Sequence, residues 1–331
     1  MAGESLKGLR EERGWSQTEL AAWLNKSLGR KYDRAQISRW ESGSERTPKA
    51  VVDAVETERR TDRPRHATVV MCGSAKGGVS KTTSALCIAY CLLAQGSKVL
   101  LIDCDSQGSA TVHLGYSPTQ MDQMEVERRT LYYALADDRP LADYIIQTPE
   151  PRLDLLPAFM SLADADVELA LGKLAPLRQR IGEVRNQYDF IVLDTAPNLG
   201  AVTVSALEAS DLLLVPCQTE ALALVGLRNV LHSLENLRRR RNPGLRMLGI
   251  LPTLFSARLT QDQATLEDLR RGYGDRYRIF DPIPRATVFA QAAASGVIPL
   301  AAVKNIPGRA VFEEIAAAAR AAAKEMKAHV A

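Results

Sequence analysis

At 331 residues the chain is long for one domain and fits about two, or one sizeable core with a small appendage. Apolar residues make up 46% and charged residues 24%, an ordinary balance for a globular protein, which excludes disordered and fibrous classes. No stretch approaches the roughly 18–20 apolar residues of a membrane span, and the N-terminus, with Glu4, Glu11 and Glu12, lacks a signal-peptide pattern, so a cytoplasmic protein without a membrane partner is expected. The net charge of +3 is unevenly spread: residues 1–66 hold 14 basic and 11 acidic residues, and the remainder cancels, which points to a polyanionic partner or a solvated surface at the N-terminal end. Five cysteines without ligand spacing argue against a disulfide framework and for scattered buried thiols.

Residues 1–58 read as short helices forming a first domain. Ser16 with Glu19 three residues on has the form of a capping box, Leu20, Ala21, Leu24, Ile37 and Trp40 supply a small core, and Gly43 is placed to end a helix in a left-handed cap. The stretch 59–66 is charged, contains Pro64 and shows no apolar periodicity, so it reads as a linker. From 67 to 331 the pattern changes to that of a second, larger domain. Apolar runs at 67–72, 98–103, 189–194, 211–216 and 246–252 alternate with helical stretches at 81–95, 162–186, 199–209, 220–241 and 260–272, the signature of βα units on a mostly parallel sheet. Runs such as Val99-Leu100-Leu101-Ile102 lack alternation because a strand covered by helices on both faces is buried twice. The tail 308–329 predicts a helix whose Ala stripe suits packing against protein, not a bilayer surface. The fold class expected is α/β, mostly parallel, with a small all-α domain in front.

The strongest chemical signal is Gly73-Ser74-Ala75-Lys76-Gly77-Gly78-Val79-Ser80-Lys81-Thr82-Thr83, which follows a strand and opens a helix. Glycines let backbone amides turn toward phosphate oxygens and the helix N-terminus adds partial positive charge. Lys81 can reach the β/γ-phosphates and Thr82 can ligate Mg²⁺. Two apolar runs end in acids that open into the crevice at the strand C-termini: Asp103 with Asp105, and Asp194. Asp103 also suits a plain strand-end turn.

Within the loop, Lys76-Gly77-Gly78-x-x-Lys81-Thr82 resembles the deviant Walker A of the ParA/MinD superfamily of P-loop ATPases. The resemblance implies that Lys76 reaches across a homodimer interface to the partner's ATP, that Gly77, Gly78, Val79, Ser80, Lys81, Thr82 and Thr83 bind the nucleotide, and that Lys76, Lys81 and Asp105 are catalytic. It further implies a switch I with Asp105 positioning the attacking water, and Mg²⁺ held through Thr82, Asp103 and Asp194. Ser80 departs from the pattern, where Gly is common, and Gln291 stands where Glu usually precedes Ala292. Val215-Pro216-Cys217-Gln218-Thr219-Glu220 with Gly226, Gly249 through Thr253 around Pro252, and Ile283-Pro284-Arg285 extend the likeness along the nucleotide side, with Pro252 and Pro284 as further nucleotide contacts.

The N-terminal segment, Leu9 to Ala21 and then Gln36 to Gly43, resembles the phage-repressor helix-turn-helix. By position Gln17 faces phosphate, while Arg34, Gln36, Ser38 and Arg39 lie at the groove-facing end of the recognition helix. The segment Asn25 to Asp33 exceeds the usual turn by about six residues. A helical module for dimerisation or protein binding is the plainer alternative. Arg258 matches a family position for nonspecific DNA contact; the second such position is Val288, with Arg285 or the run Arg238–Arg241 as substitutes, though that run also suits a helix C-terminus.

The resemblance implies a DNA-partition ATPase with ATP/ADP and Mg²⁺, an ATP-dependent homodimer on the nucleoid, nonspecific DNA, a ParB-like centromere-binding partner, and operator binding with autoregulation through the N-terminal module. An ATP-sensing transcriptional regulator, a MinD-like positioning ATPase and an iron–sulfur carrier relative are the rival readings.

Overall fold

The computed structural model describes residues 2–62, 66–74, 76–220 and 223–330, with backbone only for 2–4, 12, 56–62, 223–226 and 329–330. Two compact units emerge, Met1–Pro64 and Arg65–Ala331.

The first unit has four helices, α1 (Ala2–Glu12), α2 (Gln17–Leu28), α3 (Arg34–Glu41) and α4 (Lys49–Asp62). Leu6, Leu9, Leu20, Leu24, Ile37 and Trp40 close its core. The Ser16 hydroxyl accepts from the Glu19 amide at 3.2 Å and the Glu19 carboxylate accepts from the Ser16 amide at 2.7 Å, so two otherwise orphaned donors at the start of α2 are satisfied. The long connection expected from Asn25 to Asp33 is corrected: α2 continues through Asn25 to Leu28 and stops at Gly29, whose φ of 60° only glycine adopts without strain. Asn25 then fixes the remaining turn, donating to the Tyr32 carbonyl at 2.9 Å and accepting from the Tyr32 amide at 2.5 Å. Helix α4 runs to Asp62, so the segment read as a linker begins as helix; residues 63–65 lie outside the described residues.

The second unit is built on seven strands: β1 (Thr68–Cys72), β2 (Val99–Cys104), β3 (Ile146–Gln147), β4 (Leu153–Leu156), β5 (Phe190–Thr195), β6 (Leu212–Gln218) and β7 (Arg246–Thr253). Their order is β3-β4-β2-β5-β1-β6-β7, parallel throughout except for the antiparallel edge β3. The two strands absent from the sequence reading, β3 and β4, lie at one end of the sheet and are very short, and β4 is boxed between Arg152, at φ 69°, and Pro157. The single helix expected over 162–186 is two, Leu162–Ala170 and Leu177–Val184, because Gly172 turns left-handed at φ 68° and Pro176 starts the second. Register sets Asp194 beside both Cys72 and Asp103, bringing the ends of β1, β2 and β5 to one edge.

Helix α5 (Lys81–Ala94) starts at that edge. Against it packs the C-terminal helix Arg309–Val330, burying Phe312, Ile315, Ala316, Ala319 and Ala323, so small side chains permit close helix approach. No helix among the described residues is long and apolar enough to cross a membrane. All five cysteines are buried free thiols, and burial pushes those of Cys91 and Cys217 up to about 12, leaving them unreactive.

Phe312 is 1% exposed and is the largest side chain that the C-terminal helix buries in this core, so Phe312→Ala should cost about 3–5 kcal/mol, read as a lower urea midpoint at unchanged slope.

Candidate nucleotide site and DNA-binding module

The loop from Gly73 to Ser80 leaves a buried strand and enters α5. A Cβ on Gly73 would come within 2.8 Å of the Met71 terminal methyl, the end of a flexible side chain that would have to shift. Gly78 has φ 72° and Ser80 φ 62°. Ser80 thus holds, without being glycine, the left-handed turn that glycine adopts freely, and its carbonyl is fixed by the Ser84 amide at 2.9 Å and the Ser84 hydroxyl at 2.7 Å. Val79 is buried, its carbonyl accepting from the Thr253 hydroxyl at 3.2 Å, which ties the loop to β7. Gly77 and Gly78 are exposed, with Thr82 and Thr83 half-buried in the first turn of α5; Ala75 lies outside the described residues. Lys81, 7% exposed, folds back so that its Nζ donates to the Lys76 carbonyl at 3.0 Å. Burial lowers its pKa, against the pull of Asp194 and Asp105.

Asp194 is fully buried, and neither carboxylate oxygen meets a hydrogen-bond donor at good geometry. Burial first, then the neighbouring Asp103 carboxylate, push its pKa well above the carboxylate range, eased only by the nearby Thr82 hydroxyl and the Lys81 charge. Asp103 differs. Its oxygens accept from the Thr111 hydroxyl at 2.8 Å, the Thr111 amide at 2.9 Å and the Asp105 amide at 3.2 Å, and burial raises its pKa to about 7. These bonds hold helix Ser109–His113 to the end of β2. Asp105 is half-buried, accepting from the Gln107 amide at 3.0 Å. A glycine cradle, a buried ammonium and an orphaned buried carboxylate beside a threonine hydroxyl form a donor set that fits a phosphate chain and a divalent cation.

Lys76 is occupied within its own chain: its Nζ donates to Gln218 Oε1 at 3.0 Å and to the Glu220 carboxylate at 3.1 Å, while Gln218 Nε2 donates to the Gly78 carbonyl at 2.9 Å. Gln218 and Glu220 were visible in the sequence only as part of a strand-and-loop likeness, without a role. Pro252 and Pro284 come to the same side of β7, linked through the Ile283 amide on the Pro252 carbonyl at 2.9 Å and the Phe255–Pro284 bridge. Gly226 lies where only backbone is described.

In the helical unit, Arg34, Ser38 and Arg39 are exposed on the face of α3 opposite buried Ile37 and Trp40. The other expected contacts are engaged. Gln36 closes a capping box with Asp33 at 2.8 and 3.0 Å, and the Gln17 amide donates to Glu41 at 2.9 Å, beside Arg10 on the same carboxylate at 2.7 Å. Arg39 donates to Glu45 at 2.7 Å. In the larger unit Arg258 is exposed, as are Arg285, Arg239 and Arg240, whereas Arg238 and Arg241 pair with Glu235 and Glu208 at 3.4 and 3.3 Å. Val288 packs half-buried against the core.

This arrangement defines a P-loop α/β protein joined to a small DNA-binding-type helical module. Residues 67–247 match the family described as an AAA domain, and residues 2–56 match a helix-turn-helix domain. The chain is 33% identical over 231 residues to the sporulation initiation inhibitor protein Soj of Bacillus subtilis, covering 69% of this chain and 88% of Soj. It is 34% identical over 235 residues to the chromosome partitioning protein ParA of Caulobacter vibrioides, covering 69% and 84%. The solved structure of cobyrinic acid a,c-diamide synthase from Mycobacterium smegmatis, with bound ADP and magnesium, has a TM-score of 0.62 at 30% identity, covering 76% of this chain and 92% of that one. The chain belongs to the Soj/ParA family of partitioning ATPases and carries an N-terminal helix-turn-helix domain.

The raised pKa of Asp194 carries a sign. A proton held more tightly in the folded chain stabilises it below the unfolded carboxylate value of about 3.9, and that contribution is lost as pH rises through the raised value. The protein without Mg²⁺ should therefore melt lower as pH climbs from about 3.9 toward the raised value. Asp194→Asn should flatten this slope and raise the melting temperature by about 2–4 °C per kcal/mol recovered, while abolishing any stabilisation by Mg²⁺ with nucleotide. Differential scanning calorimetry across pH reads all three.

Proposed function

We propose that this chain is a DNA-segregation ATPase that binds ATP with Mg²⁺, pairs as an ATP-dependent dimer on nucleoid DNA, and hydrolyses ATP when a ParB-like centromere-binding protein engages it. The N-terminal module adds recognition of a specific site and autoregulation. One observation carries the reading: a buried carboxylate with no donor, Asp194, faces a glycine loop and a buried lysine, Lys81, a combination that costs stability unless a cation and a polyanion complete it.

In this reading the amides of Gly77 through Thr83 hold the phosphates, Lys81 neutralises the β/γ charge, and Thr82 with Asp194 positions Mg²⁺, which supplies charge neutralisation at the transferring phosphoryl group. Asp105, at the mouth of the site, orients the attacking water. Pro252 and Pro284 border the nucleotide. Lys76 serves the second subunit after leaving Gln218 and Glu220. Both members of that ion pair are exposed, and such a pair is worth about 0–1 kcal/mol, so a triphosphate's charge readily displaces it. Arg34, Ser38 and, once released from Glu45, Arg39 read bases, while Arg258 with Arg239 and Arg240 supplies sequence-independent attraction.

Lys81→Ala should lower turnover by about 10²–10³-fold; turnover equal to wild type would overturn the site. Asp105→Ala should bind ATP and accumulate as a dimer without hydrolysing it, read by light scattering beside phosphate release. For DNA, the full chain is tested on specific and random duplexes with ADP and with a slowly hydrolysed ATP analogue. Arg34→Ala should lose about 1–3 kcal/mol at the specific site alone, and Arg258→Ala should lose random-duplex binding only with the ATP analogue. An ATP-sensing regulator would instead show specific binding switched by nucleotide and no partner-stimulated turnover.

A further inference from the structure

Helix Ala201–Ala209 begins at Gly200, at the end of the loop that leaves Asp194. The amide of the second residue of a helix, here Val202, ordinarily finds its acceptor in a Ser, Thr, Asp or Asn side chain at the residue before the helix, and glycine has none to offer. A carboxylate from another helix takes its place. Asp166, on helix Leu162–Ala170, accepts from the Val202 amide at 2.8 Å and sets a negative charge against the positive end of helix Ala201–Ala209.

That carboxylate explains the glycine. The backbone of Gly200 is extended, at φ −66° and ψ 175°, a conformation open to any residue, so no turn requires glycine there. A Cβ on it would stand 2.7 Å from the Asp166 carboxyl carbon, too close to coexist with the remote cap. A serine at 200 would satisfy the same amide from within the loop. The carboxylate of Asp166 satisfies it and also ties the loop to helix Leu162–Ala170.

The loop so tied touches the phosphate-binding segment. At its start the Thr195 hydroxyl donates to the Cys72 carbonyl at 2.9 Å, one residue before the glycine loop begins. Asn198 closes a turn near its end, with Oδ1 accepting from the Gly200 amide at 3.1 Å and the Thr203 hydroxyl at 3.4 Å. Between them Pro197 comes against Gly77: its Cβ lies 3.7 Å from where a Cβ on Gly77 would stand. Pro197, Asn198 and Leu199 are exposed, so the position of this crest is set by the ties at the two ends of the loop.

We propose that Asp166 is a positioning residue for ATP hydrolysis: through Gly200 and Val202 it fixes the loop 195–200 against Gly77, in the one position from which that loop closes the phosphate site. The inference rests on the nucleotide site proposed above. In the full-length protein, turnover is measured as phosphate release against the concentration of ATP with Mg²⁺, and the melting temperature is measured without nucleotide. Asp166→Ala should lower kcat about tenfold while KM shifts less than about twofold, because a loop displaced by about 1 Å spoils the reaction geometry while the glycine-loop amides and Lys81 still hold the phosphates. Asp166→Asn keeps an acceptor of the same shape and should stay close to the wild-type kcat. Asp166→Ala/Gly200→Ser separates positioning from capping: with the carboxylate gone the serine has room to cap Val202 locally, so the melting temperature should recover and kcat should not. Gly200→Ala alone should push the carboxylate away and lower kcat as Asp166→Ala does, and combining the two should cost nothing further. That single variant carries the test if Asp166→Ala does not fold. Wild-type kcat in Asp166→Ala or in Gly200→Ala overturns the proposal, as does recovery of kcat by the serine, which would leave Asp166 a helix cap alone. Failure of the nucleotide site itself reads differently, since Lys81→Ala would then turn over ATP like the wild type.

Discussion

Everything at the nucleotide edge is organised around the unsatisfied carboxylate of Asp194. It ends a strand buried on both faces, so water cannot hydrate it, and its nearest acid, Asp103, repels it. A buried acceptor with no donor costs about 1–3 kcal/mol, a large fraction of the stability of an ordinary domain, and persists where the binding of something else compensates. The surrounding devices keep that carboxylate available. Thr111 and the Asp105 amide take up the oxygens of Asp103, and Lys81 is turned to the Lys76 carbonyl instead of pairing directly with the acid. A direct Lys81–Asp194 ion pair would satisfy both charges and close the site.

Asp103 and Asp194 show where sequence reasoning stops. Both follow four apolar residues at the end of a parallel strand, and nothing local separates them. The difference lies in what comes next: after Asp103 the chain turns at Gly108, in the left-handed conformation, and starts a short helix that puts Thr111 onto the carboxylate. After Asp194 it runs through Pro197 to Gly200, and helix Ala201–Ala209 is capped from outside by Asp166. The glycine loop was legible because all its chemistry is local, one strand, one turn and one helix in sequence. The cis partners of Lys76 were not, because Gln218 and Glu220 are brought to it by the β1–β6 pairing, across more than a hundred residues.

The fold divides the same way. Five strands announce themselves as apolar runs, whereas β3 and β4 carry too few residues to establish a pattern and exist because β4 pairs with β2 and β3 with β4. The stretch 162–186 has continuous helical periodicity, yet Gly172 and Pro176 break it into two pieces, both of which pack on helix Ala201–Ala209. In the N-terminal unit the capping box of α2 could be read directly, but the lengthening of α2 past Asn25 could not, since it depends on Asn25 finding Tyr32.

Acidic side chains in that unit decide which cations remain available. Glu41 takes both Arg10 and Gln17 at the base of α3 and, nearly buried itself, makes that pairing a structural brace. The Arg39–Glu45 pair is half-exposed on both sides, so water screens it and a phosphate or a guanine edge competes on even terms. Arg34 stands free among the described residues at the start of the same helix. Under the proposed function the order of engagement follows from these differences: Arg34 meets DNA first at no cost in broken contacts, and Arg39 exchanges Glu45 for a base only where the groove offers a bidentate acceptor. Glu45→Ala should remove that competition, raising affinity for both specific and random duplexes while narrowing the gap between them, since the free Arg39 would then meet any phosphate. Fluorescence anisotropy on the two duplexes decides it, and a specificity ratio unchanged by the substitution would show that Arg39 does not read bases.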